Sequence, residues 1–242
     1  MEKEKKLYGL NASGFSPRNI SIDALKAQGH ETMPTYGWAP TMVPGAPAAW
    51  AAVANRFGAL PMTESMAPAI RYAREGYPAS PNLARMWKRA YDKFTTVLQG
   101  EEYAAWFDTF TPEGRCPAAG DMIRLPDHAD TLEEIARTQA ESFYRGALAE
   151  KIVADSQKHG GFFCAEDFAE YQPQWVEPIS VDYRGYTVCE IPPNGQGIVA
   201  LMALNILKEF SFPEKESIDT YHKQWEAMKI AFADGKYHVT DP

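Results

Sequence analysis

The chain has 242 residues, 45% of them hydrophobic, which provides for a sizeable core and excludes a disordered tract. Its formal net charge of −8 argues against a nucleic-acid partner, because no Lys/Arg cluster large enough for a polyphosphate backbone follows the first six residues. No run of about 18 apolar residues occurs, so no segment reads as spanning a membrane, and no apolar signal core opens the chain, so as written it reads as cytoplasmic, with the compartment itself left unknown.

The charged opening "EKEKK" reads as a solvated end. Leu7 to Asn11 predicts a short strand, and Ser21 an N-cap for a short helix that ends near Gly29. The Pro- and Gly-rich "GHETMPTYGWAPTMVPGAP" predicts a loop. Pro47 then opens a helix that stops at Gly58, and a second runs from a Thr63 cap to Gly76. Residues 82 to 107 look helical but irregular, and "TFTPEGRCPAAGD" reads as loop. The amphipathic runs "DTLEEIARTQ" and "ALAEKIVADSQKHGG" predict helices, and "EDFAEY" a short helical turn.

After this the texture changes. "EPISVDY" and "YTVCEI" flank the dipeptide "RG" and predict a β-hairpin. "QGIVALMALNILKEF" is apolar nearly all round, which predicts a helix buried on most sides. A last helix runs from a Ser217 cap to Gly235, with Tyr221, Trp225, Met228 and Phe232 as the stripe expected to pack inward. The sum is an α+β chain, mostly helix, whose few strands need cover from elsewhere. It is read as a single domain, 1–242.

Common catalytic signatures are missing. No G-x-S-x-G, H-E-x-x-H, paired C-x-x-C or G-x-x-x-x-G-K is present. Cys116, Cys164 and Cys189 are odd in number and widely spaced, which predicts reduced thiols. His222 and Glu226 share a helical face but supply too few ligands for a metal, so none is assigned. His159 reads as a cation at a helix C-terminus, Asn205 as a hydrogen-bonded core amide, and Cys164 as a capping or buried thiol three residues before Asp167. "PPNGQG" reads as a structural turn in preference to an anion cradle.

The run "DYRGYTVCEIPPNGQGIVALMALNIL", residues 182 to 207, closely resembles the γ-glutamyltransferase (γ-glutamyltranspeptidase) family. So do "VPGAPAAW", the stretch Met66 to Ser80, "FYRGALAEKIV", "GGFFCAEDFAEY" and "EAMKIAFADGKYHVTDP", in the family's order from about Leu7 to Pro242. The resemblance implies part of an N-terminal-nucleophile hydrolase αββα sandwich, mainly its helical layers, from the centre of the large subunit. It implies autoproteolysis and an amide hydrolase or acyltransferase in which a freed Thr attacks an acyl carbonyl with its own α-amine as base. No Thr here has that setting, and "TDP" at Thr240 reads as a turn, so no catalytic residue is assigned within the chain. The nucleophile is expected on a small-subunit segment outside it, and the family strand and helix that precede Leu7 are also outside.

In transpeptidases of this family, the loop corresponding to "LNASGFSP" carries an Arg that grips the substrate α-carboxylate, a task suited to a planar guanidinium. Aligned on Pro17, Ser13 takes that place, and Arg18, beyond the proline, is not assigned the role. The resemblance is therefore to the acylase-like branch, which includes cephalosporin-acylase-like proteins. It implies that Asn11, Ser13 and Gly14 line an acyl pocket without its carboxylate clamp. The expected substrate is a small γ-glutamyl or other acyl amide, including those of glutathione metabolism; no cofactor is expected, and a homo-oligomer is open. The competing expectation is a non-catalytic fragment or subunit that folds against a partner chain.

Overall fold

The computed structural model describes residues 4–240, so the start of "EKEKK" and the end of "TDP" lie outside the described residues. In chain order its first elements are β1 (Gly9–Asn11), α1 (Ile22–Ala27), α2 (Ala46–Phe57), α3 (Met62–Glu75), β2 (Tyr77–Pro78), α4 (Pro81–Val97) and α5 (Ala104–Phe110). Next come β3 (Met122–Ile123), α6 (Pro126–Thr138), α7 (Glu141–Arg145), α8 (Ala147–Lys158) and α9 (Ala165–Ala169). The last are β4 (Gln174–Val176), β5 (Ile179–Tyr183), β6 (Tyr186–Glu190), α10 (Gly197–Leu207) and α11 (Ile218–His238). The class is α+β, as the sequence predicts. The described strands pair only as three antiparallel two-stranded ladders, β1–β4, β2–β3 and β5–β6.

Two compact units are distinguished, one made of residues 1–15 with 172–242 and the other of residues 16–171. In the first, β1 pairs with β4 (Gly9 opposite Val176, Asn11 opposite Gln174), and β5 and β6 form the predicted hairpin around Arg184–Gly185. Both turn residues have positive φ, which glycine adopts freely. Helix α10 packs against α11 and against the hairpin. Its buried residues are Val199, Leu201, Ala203 and Leu207, whereas Ala200 and Asn205 are exposed. Asn205 is thus not the core amide the sequence suggests, because the partners of α10 leave that side of the helix open.

Helix α11 starts at the predicted Ser217 cap, whose side chain accepts the Thr220 N–H. Its inward face is the reverse of the expected one. Thr220, Ala227, Ala231 and Gly235 are buried, while Tyr221, Trp225, Met228 and Phe232 are exposed. Small residues let two helices approach closely, and a Cβ on Gly235 would stand 2.5 Å from Val199 Cγ2. The aromatic stripe is left outward.

In the second unit, α3 packs on α6 around Ala73, Ala129, Ile135 and Ala136. Helix α3 begins after Pro61 rather than at a Thr63 cap, so Thr63 lies in its first turn. Between α6 and α7, Gln139 and Ala140 both take left-handed backbone, which stops one helix and starts another not predicted from sequence. Tyr144 of α7 is buried and stacks on Tyr171 at 5.2 Å. Its hydroxyl donates to the Pro44 carbonyl and accepts the Ala48 N–H, which pins the "VPGAPAAW" segment. Phe163 and Phe168 meet edge to face at 5.1 Å under α9. No helix among the described residues is long and apolar enough to cross a membrane.

Candidate functional site

In the first unit the end of β1 meets the loop that leads from β6 into α10. Strand β1 is wedged tightly: a Cβ on Gly9 would stand 2.8 Å from the Val176 carbonyl oxygen and 3.4 Å from Ile191 Cγ2. Only glycine permits that approach. At the end of the strand, the Asn11 carboxamide is used on both sides. Its Oδ1 accepts the Ser13 N–H at 3.0 Å, and its Nδ2 donates to Asn194 Oδ1 at 2.9 Å. A local bond of the first kind is what asparagine contributes to turns.

The polarity of this pair of bonds is forced. A backbone N–H can only donate, so the Asn11 atom facing Ser13 is the oxygen, and the atom facing Asn194 is the nitrogen. Asn194 must therefore present its own oxygen. Asn11 is half-buried, Ser13 exposed and Gly14 buried. Of the three residues expected from the sequence, the structure ties Asn11 to Ser13 by a direct bond and places Gly14 next in the chain.

The β6–α10 loop is fixed at its base. Pro192 and Pro193 restrict two successive φ angles. The Glu190 carboxylate lies against Gly197, where an added Cβ would stand 2.5 Å from Oε2. A carboxylate at the start of α10 complements the helix dipole, and "PPNGQG" forms the turn that leads into that helix. Asn194 and Gln196 line a cavity of about 270 Å³ together with Val199, Phe232 and Lys236. Sequence reading missed Glu190 and Asn194; Asn194 appears there only as a member of the turn.

The other candidates resolve individually. His159 is the C-cap residue of α8, where the sequence places it, and its Nε2 lies 3.6 Å from Asp155. Glu226 pairs with Lys229 at 2.7 Å, and no third metal-ligating group gathers with it and His222 among the described residues. Cys164 is the N-cap of α9 in a capping box with Asp167, its N–H donating to Asp167 Oδ2 at 2.9 Å. Burial, followed by its bonds to neighbouring carboxylates, pushes this thiol up, away from the reactive thiolate.

Asp167 also accepts the Arg18 N–H and the Arg18 Nε–H, each at 3.1 Å, and Arg18 reaches Glu170 at 2.7 Å. These carboxylates raise the Arg18 pKa further above its usual value and engage its guanidinium. Thr240 is exposed and lies outside any helix or strand. The bonded groups of Asn11, Ser13 and Asn194 are uncharged hydrogen-bonding groups that can align an acyl or amide group, while Glu190 and Lys236 bring charge to the adjoining loop and cavity.

The family profile described as gamma-glutamyltranspeptidase matches residues 1–242. The chain is 35% identical over 243 residues to the glutathione hydrolase-like YwrD proenzyme of Bacillus subtilis (strain 168), covering 99% of this chain and 44% of that one. It is 32% identical to the acylase ACY 1 proenzyme of Pseudomonas sp. (strain SE83), covering 83% and 35%. The crystal structure of cephalosporin acylase from Bacillus halodurans superposes with a TM-score of 0.93 at 57% identity, over 97% of this chain and 44% of that one. Helicobacter pylori gamma-glutamyltranspeptidase gives 0.86 at 27% identity, over 98% and 68%. The chain thus spans less than half the length of the two proenzymes.

Proposed function

Since the chain belongs to the gamma-glutamyltranspeptidase family, we propose that it is a large-subunit fragment, folded as one domain of an amide hydrolase or acyltransferase. The nucleophile is a Thr on polypeptide outside residues 1–242. Its freed α-amine takes the hydroxyl proton as the oxygen attacks the acyl carbonyl, and the amine leaving group departs with a proton. The segment that carries this Thr is the partner of the present chain, and the substrate is a small acyl amide. Asn11, Ser13 and Gly14 form part of the acyl pocket.

The observation that carries this reading is the uncharged loop from Asn11 to Gly14, held by hydrogen bonds of side-chain amides, with Ser13 where a carboxylate clamp would stand. A hydroxyl cannot replace a guanidinium in bidentate pairing. Acyl donors without a terminal carboxylate therefore suit the pocket better than γ-glutamyl donors.

The test is Ser13→Arg in the complete enzyme. It lowers KM for γ-glutamyl-p-nitroanilide, with kcat/KM rising about tenfold, a typical value for one charge-assisted bond, while butanoyl-p-nitroanilide, which has no carboxylate, gains nothing. Equal response of the two donors would show that Ser13 lies away from the α-carboxylate. A second reading, a non-catalytic fragment that folds against a partner chain, draws on the outward aromatic face of α11. Failure to find any Thr-initiated chain associated with the purified protein would favour it.

A further inference from the structure

We infer that Asn194 is a positioning residue for the acyl-donor loop, acting through Asn11; this rests on the proposed acyl pocket. Ser13 itself is exposed, and the bond from its N–H to Asn11 Oδ1 is local. A local turn fixes the loop only as firmly as the Asn11 side chain is fixed. The bond that fixes Asn11 comes from 183 residues away, through its Nδ2 to Asn194 Oδ1. Asn194 in turn sits on a stiff base: two prolines precede it, the β5–β6 hairpin ends at Glu190, and the Glu190 carboxylate seats against Gly197. The hairpin and α10 therefore set the place of Ser13 through two amides in series.

In the protein as it stands, Asn194 contributes an oxygen and Asn11 a nitrogen to their shared bond. An aspartate at 194 still accepts from Asn11, and an aspartate at 11 keeps the acceptor for Ser13 and can be met by the Asn194 amide turned to donate its N–H. Aspartate at both positions leaves two acceptors facing each other with no donor. A purely steric role would not distinguish the single isosteric changes from the double one.

The complete enzyme is compared with Asn194→Ala, Asn194→Asp, Asn11→Asp and the double variant Asn11→Asp/Asn194→Asp. Asn194→Ala and the double variant raise KM for butanoyl-p-nitroanilide about tenfold, in keeping with loss of one part-buried hydrogen bond, and change kcat less than twofold. Asn11→Asp alone raises it far less, because the Asn194 amide turns to donate. Asn194→Asp recovers most of the KM lost in Asn194→Ala. Hydrogen exchange of the segment around Ser13 quickens in Asn194→Ala and slows again in Asn194→Asp. Unchanged exchange in Asn194→Ala, or equal losses in Asn194→Ala and Asn194→Asp, overturns the relay. Faster exchange with unchanged KM upholds the relay and removes the loop from the acyl pocket, which separates the two claims.

Discussion

Asp167 shows how one buried carboxylate can join distant parts of a chain. Its side chain is only 4% exposed, and it accepts N–H bonds from Cys164 and Arg18 as well as the Arg18 guanidinium. Burial alone would raise its pKa, but those donors together outweigh it and hold Asp167 below the usual carboxylate range. A carboxylate with a lowered folded-state pKa stabilises the fold fully above its unfolded value of about 3.9, and the contribution vanishes as pH falls through the lower folded value. Asp167→Asn should therefore cost about 2 kcal/mol at pH 7, the scale of hydrogen bonds to a charged group. The difference from the parent should shrink steadily once the pH drops below about 4. Urea unfolding at a series of pH values measures this, and a pH-independent difference would show that packing, not charge, is what Asp167 supplies. Half of this arrangement was legible in sequence: the three-residue spacing from Cys164 to Asp167 announces a cap. The other half was not, because Arg18 lies 149 residues away. Asn194 escaped notice for the same reason, while Asn11 and Ser13 were reached through resemblance of a short loop.

At the scale of elements, local chemistry was readable and facing was not. Ser21 and Ser217 cap their helices as predicted, since a cap needs only three residues of context. The β5–β6 hairpin followed from alternation around a glycine turn. The two-residue strands β2 and β3 left no pattern to read, and β4 needed β1 as its partner from the other end of the chain. Helix α11 has the periodicity of an amphipathic helix, yet its large apolar stripe faces outward and its Ala/Gly face packs on α10. Period identifies a helix, but the choice of inner face depends on how closely the neighbour approaches. Gly235 makes this testable. In an open helix, Gly→Ala stabilises by about 1 kcal/mol. Here the added methyl meets Val199 Cγ2, on a buried β-branched side chain with little freedom to yield. Gly235→Ala should destabilise by about 1–2 kcal/mol once overpacking exceeds the propensity gain. Val199→Ala added to it should recover part of that loss, read as a rise in the thermal midpoint. Stabilisation by Gly235→Ala alone would mean that α10 and α11 can separate without cost.

For the molecule as a whole, the apolar surface that residues 4–240 leave uncovered is the informative quantity. Trp225 is 67% exposed, and Tyr221, Met228 and Phe232 continue the same outward stripe along α11. Every described ladder is two-stranded, so each strand also keeps an unpaired edge. An exposed apolar stripe and unpaired strand edges each favour association over a free monomer. The chain 1–242 produced alone should therefore associate in a concentration-dependent way and bind a hydrophobic dye. Trp225→Lys with Phe232→Glu should reduce both effects while leaving the far-ultraviolet circular dichroism intact, because neither side chain belongs to the buried face of α11. In the complete protein the same pair should lower stability, since covering that face with another segment would then bury two charges without partners. Sedimentation of the isolated chain separates the possibilities. A monomer at high micromolar concentration, with no dye binding, would mean that the stripe tolerates water and needs no cover.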